Sequence, residues 1–214
     1  MNITTRRFSS GEFFHICNKS IANYHIFRSE KLLNRFFLTI NYYNNAQLKI
    51  SLSRALRTEL ILDNIFLRKQ ESIIHIIAYC IMPDHYHLLA IIHNGELFSK
   101  YINNIESSYT RYYNKLCKRK GPLWQSRFRA TRITDNATLL HVHRYIHLNP
   151  TTAGIVQKPE DYTWSSYNSY IKDEKTLKIN KEISIHSIRR YQKFVEDQID
   201  YQKTIKGIAR AILE

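Results

Sequence analysis

Residues 79–89 read YCIMPDHYHLL, an apolar run that is broken at Pro83 and resumes with two histidines. The branched and aromatic content predicts strands over residues 72–81 and 87–92, with a turn between them. Residues i and i+2 of a strand share a face. His85 and His87 could therefore present two imidazoles side by side, as a divalent-metal site requires. A packed or surface pair of histidines gives the same pattern.

The flanking segments alternate between strand and helix signals. A strand is expected over residues 11–17, and Ser29 is a predicted N-cap for a helix that carries apolar residues from 32 to 40. A second amphipathic helix is expected over residues 98–116, and residues 122–133 fit a strand or an extended arm. This order predicts the α+β class, with a sheet covered by helices.

A third predicted helix carries a tyrosine and an asparagine that could act together with the two histidines. Asp135 is a predicted N-cap, and Asn149-Pro150 is expected to end the helix, because a residue before proline disfavours the helical conformation. Tyr145 and Asn149 are one turn apart and share a face. A divalent ion near a tyrosine can polarise a scissile phosphate. The pattern favours a metal-dependent enzyme with a tyrosine nucleophile, although Tyr145 could instead be a core residue.

Three other tyrosines, on the 98–116 helix, are rival nucleophiles. Tyr109 and Tyr112 fit the apolar stripe of that helix, and we interpret them as core residues. All three, Tyr113 included, would reach a site only if the helix packs against the end of the sheet.

The charge of the chain indicates a polyanionic partner. Its 214 residues include 32 Lys and Arg against 18 Asp and Glu, a formal net charge of +14. With 15 Tyr and 10 Phe, the chain also has flat faces for unpaired bases. The nucleic-acid contacts are expected from the 122–133 segment, where arginines pair with phosphates and aromatic rings stack on bases: Trp124, Arg127, Phe128, Arg129 and Arg132.

Other compositional features limit the class of protein. The three cysteines are far apart and form no Cys-x-x-Cys, so neither structural zinc nor a disulfide framework is indicated. The N-terminus lacks the apolar core of a secretory signal, and no apolar stretch is long and uninterrupted enough to span a membrane. A reducing cytoplasm is the expected compartment, with no membrane partner and no small-molecule cofactor.

Four blocks of sequence carry a resemblance to a known family. Residues 82–89, MPDHYHLL, resemble the His-x-His (HUH) motif of the IS200-like, single-tyrosine (Y1) transposases, and more narrowly of the REP-associated tyrosine transposases. Residues 121–128 (GPLWQSRF), 145–150 (YIHLNP) and 164–167 (WSSY) resemble later blocks of that branch, in the same order. The resemblance covers roughly residues 8 to 170.

The resemblance implies a fold and a set of roles. It implies a ferredoxin-like, RRM-like palm whose central antiparallel sheet is flanked by helices, over residues 1–171, with a helical C-terminal extension over 172–214. His85 and His87 match metal-binding histidines, and Tyr145 matches the nucleophile that joins a 5′-phosphate. Asn149 stands where the family has a third metal ligand. Mg²⁺ or Mn²⁺ is the expected ion, and single-stranded DNA beside a hairpin is the expected substrate.

Two other functions fit part of the same pattern. A non-catalytic nucleic-acid-binding module would keep the basic face and bind without cleavage. A hydrolytic metal nuclease would keep the histidines and use water instead of Tyr145, although the sequence lacks a carboxylate cluster near them. The sequence leaves open whether the protein is a monomer or a homodimer.

Overall fold

The computed structural model describes residues 7–58, 71–172, 185, 187–202 and 204. Four strands form one antiparallel sheet in the order β2-β3-β1-β4. The predicted α+β class with a central antiparallel sheet is confirmed. The strands are β1 Phe13–Lys19, β2 Ile74–Ile81, β3 His85–Ile92 and β4 Arg129–Ile133.

Helices flank the sheet, and side-chain caps fix where the main ones begin. The Ser29 side chain accepts a hydrogen bond from the Leu32 N–H, and the Asp135 carboxylate accepts one from the Thr138 N–H, so both predicted N-caps are confirmed. Among the described residues no helix is both long and apolar enough to cross a membrane. The helices are α1 Glu30–Tyr43, α2 Leu52–Ala55, α3 Gly95–Leu116, α4 Asn136–Thr152, α5 Tyr167–Lys172 and α6 Ile188–Glu196, with 3-10 turns at Ile21–Asn23 and Pro159–Asp161.

The described residues divide into two units. The first contains those up to residue 75, 83–85 and 90–132, and the second contains 76–82, 86–89 and those from 133 onward. The sequence-based boundary between residues 1–171 and 172–214 stays a prediction.

The core of the first unit is built between α1 and α3. Phe36 of α1 and Tyr109 of α3 are fully buried and meet edge to face, with ring centroids 5.1 Å apart. The Tyr109 hydroxyl donates to the Ile26 carbonyl over 2.7 Å. Burial raises the pKa of Tyr109 far above its ordinary value, so this tyrosine is a core residue, as interpreted. Tyr112 is half-buried, with the Arg35 guanidinium over its ring.

The core of the second unit is unusually rich in buried tyrosine. Tyr167, Tyr170 and Tyr191 are at most 1% exposed, and the Tyr170 and Tyr191 rings stack with centroids 5.0 Å apart. These rings bring α5 and α6 against α4. Helix α6 lies within the helical extension expected over residues 172–214, and most of residues 201–213 lie outside the described residues.

The predicted end of α4 at Asn149-Pro150 is wrong, because the helix continues to Thr152. Asn149, Pro150 and Thr151 are all buried, so packing of the last turn outweighs the local preference of a residue before proline. The Thr151 and Thr152 hydroxyls also donate to the Leu148 carbonyl, over 2.8 Å and 2.6 Å.

The segment between α1 and β2 is only partly described. Leu52, Leu56 and Leu60 are spaced as one helical stripe in the sequence. The described part of this stretch holds the short helix α2, and Leu60 lies outside the described residues.

We predict that Gly95→Ala destabilises the protein by about 1–3 kcal/mol. A Cβ at Gly95, the first residue of α3, would lie 1.8 Å from the Phe8 carbonyl oxygen, so backbone must shift. Chemical denaturation measures the loss. Ser107→Ala, on the exposed face of the same helix, is the control and should change stability by less than about 0.5 kcal/mol. Equal stability of the two variants would contradict the close approach.

Candidate functional site

Strand β3 begins with the predicted metal ligands. His85 is its first residue and His87 its third, so strand periodicity gives the two side chains one face. The turn Pro83-Asp84 precedes them, as predicted.

A carboxylate orients His85. Asp84 Oδ1 lies 2.5 Å from His85 Nδ1, and Asp84 Oδ2 lies 3.4 Å from Lys19 Nζ. Burial raises the pKa of Asp84, but the hydrogen bonds and positive charges of His85 and Lys19 outweigh this and lower it to about 2. An ionised Asp84 requires a hydrogen on Nδ1 of His85. Once the imidazole gives up its other proton, its lone pair is on Nε2, the nitrogen suited to a metal.

His87 contacts the predicted nucleophile within the second unit. Its ring meets the Tyr145 ring edge to face, with centroids 5.6 Å apart and planes at 82°. His87 is 7% exposed, whereas Tyr145 is 37% exposed and stands out among the large hydrophobic side chains of α4. Tyr145 is thus a surface tyrosine beside a buried histidine and not a core residue.

Asn149 lies one helical turn after Tyr145. Its Nδ2 donates to the Tyr145 carbonyl oxygen over 3.0 Å, and its side chain is 3% exposed. With the amide nitrogen engaged in this way, the amide oxygen is the atom suited to a hard divalent cation. Helix α4 therefore carries a phenol beside the ring of His87 and, one turn later, an amide oxygen.

A buried hydrogen-bond chain on the other side of α4 was not predicted from the sequence. His147 Nδ1 lies 2.5 Å from the Tyr191 hydroxyl of α6, and His147 Nε2 lies 2.7 Å from the Ser166 hydroxyl. Ser166 also accepts from the Tyr79 N–H of β2 over 2.9 Å. The spacing of His143 and His147, one turn apart, was the sequence signal available, but their partners are distant in the chain.

The two buried histidines of α4, His143 and His147, are held neutral. Burial lowers the pKa of His143 to about 3, and burial together with the nearby His143 lowers the pKa of His147 well below its ordinary value. A neutral imidazole donates through one nitrogen and accepts through the other. His147 can therefore satisfy Tyr191 and Ser166 together without a buried charge.

Of the two aromatic residues predicted to bind nucleic acid, Trp124 is partly exposed and Phe128 is buried. Trp124 is half-buried and its Nε1–H donates to the Glu106 carbonyl over 3.2 Å. Phe128 is 6% exposed and meets the Phe98 ring with centroids 5.8 Å apart, which places it in the packed interior rather than at a surface that bases can reach.

The predicted arginines lie at the surface of the first unit. Arg127, Arg129 and Arg132 are all exposed. Arg132 forms an ion pair of 2.6 Å with Glu12, so part of its charge is already balanced.

Comparisons with known proteins find a family model and a relative that are similar to this chain. The family model described as "Transposase IS200 like" matches residues 47–149. A Haemophilus influenzae protein named as a REP-associated tyrosine transposase is 32% identical over 108 residues, which are 46% of this chain and 61% of that protein. The chain thus spans less than two thirds of the length of this curated relative.

A solved structure shares the fold. It is described as a REP-associated tyrosine transposase bound to a REP hairpin, and it aligns with a TM-score of 0.51 and 18% identity. The alignment covers 80% of this chain and 86% of that chain. At this identity the likeness shows the fold alone, a four-stranded sheet flanked by helices.

We predict that His143 makes stability fall as the pH falls. The unfolded residue takes up a proton near pH 6.5, whereas the folded one stays neutral until about pH 3. Between these values each pH unit removes up to about 1.4 kcal/mol. His143→Phe should flatten this dependence in urea unfolding between pH 7 and pH 4, and the exposed His141→Phe should not. Identical pH profiles for His143→Phe and the unmodified protein would contradict the assignment.

Proposed function

We propose that the protein is a tyrosine transposase of the IS200-like family that cleaves single-stranded DNA, and the family model that matches residues 47–149 supports this proposal. The observation that carries the proposal is the contact between His87 and Tyr145. It gives an exposed phenol a histidine neighbour on the strand that also holds His85. This is the set of groups that a metal-assisted tyrosine nuclease needs.

The chemistry of three side chains suits a divalent cation. His85, with its Nδ1 held by Asp84, and His87 would supply two imidazole nitrogens, and Asn149 would supply an amide oxygen. Two nitrogens and one oxygen suit Mn²⁺ or Mg²⁺ and leave coordination positions for phosphate oxygens. When bound, the ion would neutralise charge on the scissile phosphate. A cluster of thiolates, which would favour zinc, is not part of this set.

The chemistry of the chain's own residues would be a transesterification. The Tyr145 oxygen forms a bond to phosphorus, and the bond from phosphorus to the 3′ oxygen of the preceding nucleotide breaks. The phenol loses its proton and the departing 3′ oxygen gains one. The products are a 5′-phosphotyrosine and a 3′-OH, so the energy of the phosphodiester is kept for a later rejoining step.

The helix contacts favour the nucleophile in this role. The buried bonds of His147 hold α4 two residues after Tyr145, and the Asn149 amide donates to the Tyr145 carbonyl. Positioning a nucleophile in this way lowers the entropic cost of the reaction. Tyr109 is unsuited to attack, since it is buried and its hydroxyl is engaged with Ile26.

The proposed substrate is single-stranded DNA next to a hairpin. The net charge of +14 and the exposed arginines Arg127, Arg129 and Arg132 support a polyanion. The solved structure of similar fold is described as bound to a REP hairpin, which supports a hairpin in particular. A non-catalytic DNA-binding module remains the second candidate, favoured by the same basic surface, and it differs by binding DNA without cleaving it.

We predict that Tyr145→Phe abolishes formation of a protein–DNA adduct. The protein is incubated with Mn²⁺ and labelled single-stranded hairpins from its own genomic neighbourhood, and the products are separated on a denaturing gel. The phenyl ring keeps the edge contact with His87 but has no oxygen to attack phosphorus. DNA binding should change less than about threefold, since the exposed arginines supply most of the proposed DNA contacts.

Tyr112→Phe is the matched control, because it removes a hydroxyl from the half-buried rival tyrosine of α3. It should leave the adduct intact. Cleavage that survives in Tyr145→Phe would point to water or another tyrosine as the attacking group. Binding without cleavage by the unmodified protein would favour the module.

We predict that Asp84→Asn raises the Mn²⁺ concentration needed for cleavage by about 10- to 100-fold, because the amide no longer fixes the ring of His85 through a charged hydrogen bond. The measurement is the Mn²⁺ concentration that gives half-maximal cleavage. The exposed Asp161→Asn serves as the control and should not change it. An unaltered Mn²⁺ requirement in Asp84→Asn would rule out the positioning role.

A further inference from the structure

One face of α3 in the first unit is lined by two neighbouring depressions. The larger, of about 510 Å³, lies between α3 and residues 122–127, and it is lined by Ser107, Arg111, Trp124 and Arg127 among others. The smaller, of about 260 Å³, lies between α3 and residues 43–51, and its lining includes Lys49, Lys100 and Arg111. Arg111 lines both. We call the two together the α3 groove.

The spacing of the residues on α3 makes the groove continuous. Lys100, Asn104, Ser107 and Arg111 follow one another at intervals of four, three and four residues, which is one face of a helix. From Lys100 to Arg111 the helix rises by about 16 Å. The groove is therefore an elongated track and not a closed pocket for a compact ligand.

The charge of the α3 groove is positive along its length. Lys49, Lys100, Arg111 and Arg127 line it. Among the described residues that line it, the only carboxylate is that of Glu106, which is 7% exposed and accepts a hydrogen bond from the Asn18 amide over 2.8 Å. A row of exposed cations with no exposed anion matches the backbone of a nucleic acid.

A fixed aromatic ring lies at one end of the track. Trp124 is held by its hydrogen bond to the Glu106 carbonyl. Its ring also packs near Phe27, Phe36 and Tyr109, with centroids 6.2 to 6.3 Å away. A ring supported from within the core loses little freedom when a base packs on its groove side. Sequence reasoning singled out Trp124 and Arg127 but not the α3 residues opposite them.

We propose that the α3 groove binds the unpaired DNA strand that flanks the hairpin, with a base against Trp124 and phosphates on Arg111, Arg127 and Lys100. This inference rests on the proposed function and adds to it the surface that holds the single strand. The groove residues bind DNA and take no part in the chemical step. Its residues set affinity and leave the attack by Tyr145 unchanged once DNA is bound.

The test measures binding without cleavage. Full-length Tyr145→Phe protein is titrated with the fluorescein-labelled single strands dT12 and dA12 at several salt concentrations. Arg111→Ala and Lys100→Ala, each added to this background, should weaken binding five- to tenfold. Each should also lower the slope of log K against log salt by about 0.7, the value expected when one phosphate of a single strand is no longer neutralised by the protein.

Exposed cations elsewhere supply matched controls. Arg189→Ala on α6 and Lys158→Ala remove the same charges from residues that do not line the groove, and they should change binding by less than twofold. If these controls weaken binding as much as the groove variants do, binding follows net charge alone and the proposal is overturned.

A second measurement reports on Trp124 without mutating it. The chain has two tryptophans, so 5-fluorotryptophan labelling gives two ¹⁹F resonances, which Trp164→Phe assigns. Addition of dT12 should shift the Trp124 resonance, and this shift should be reduced in Arg111→Ala. An unshifted Trp124 resonance at saturating DNA would refute the base contact.

The outcomes separate this inference from the proposed function. Normal adduct formation on Tyr145, together with equal effects of Arg111→Ala and Arg189→Ala, would overturn the groove and leave the nuclease standing. Absence of any adduct, together with selective loss of binding in Arg111→Ala, would support the groove as the surface of a non-catalytic binding module.

Discussion

The placement of the candidate nucleophile depends on the two buried hydrogen bonds of His147. One nitrogen of this ring reaches Tyr191 on α6, and the other reaches Ser166, which in turn accepts from the backbone of β2. Because the ring is fully buried, loss of either partner would leave an unsatisfied polar atom, at a cost of about 1–3 kcal/mol. The second unit therefore holds the inner face of α4 rigidly and leaves Tyr145 on its outer face.

The two sides of α4 thus differ in burial. On the inner side burial keeps His143 and His147 neutral, and no charge has to be compensated there. On the outer side Tyr145 is accessible and lies beside His87, the third residue of β3. The neutral, packed inner side anchors the helix, and the candidate nucleophile stays accessible on the outer side. The candidate site thus depends on the outer face of α4, which carries Tyr145, and on strand β3, which carries His87.

The sequence predicted best what depends on local interactions. The caps at Ser29 and Asp135 each bond to a residue three positions on, and the two histidines of β3 follow from strand periodicity. The end of α4 was misjudged, since burial of its last turn outweighed a preference set by the next residue. The bonds of His147 join residues 19 and 44 positions apart, which no periodic pattern reveals. The interior position of Phe128 likewise follows from its contact with Phe98 on α3, in a different part of the chain.

The most direct test of the central claim is to locate the atom that becomes joined to DNA. The unmodified protein is incubated with Mn²⁺ and a single-stranded hairpin substrate, digested with protease and nuclease, and its peptides are sequenced by tandem mass spectrometry. The account predicts a nucleotide 5′-phosphate on Tyr145 and on no other tyrosine. A nucleotide on Tyr112 or Tyr113, or cleaved DNA with every tyrosine unmodified, would contradict it.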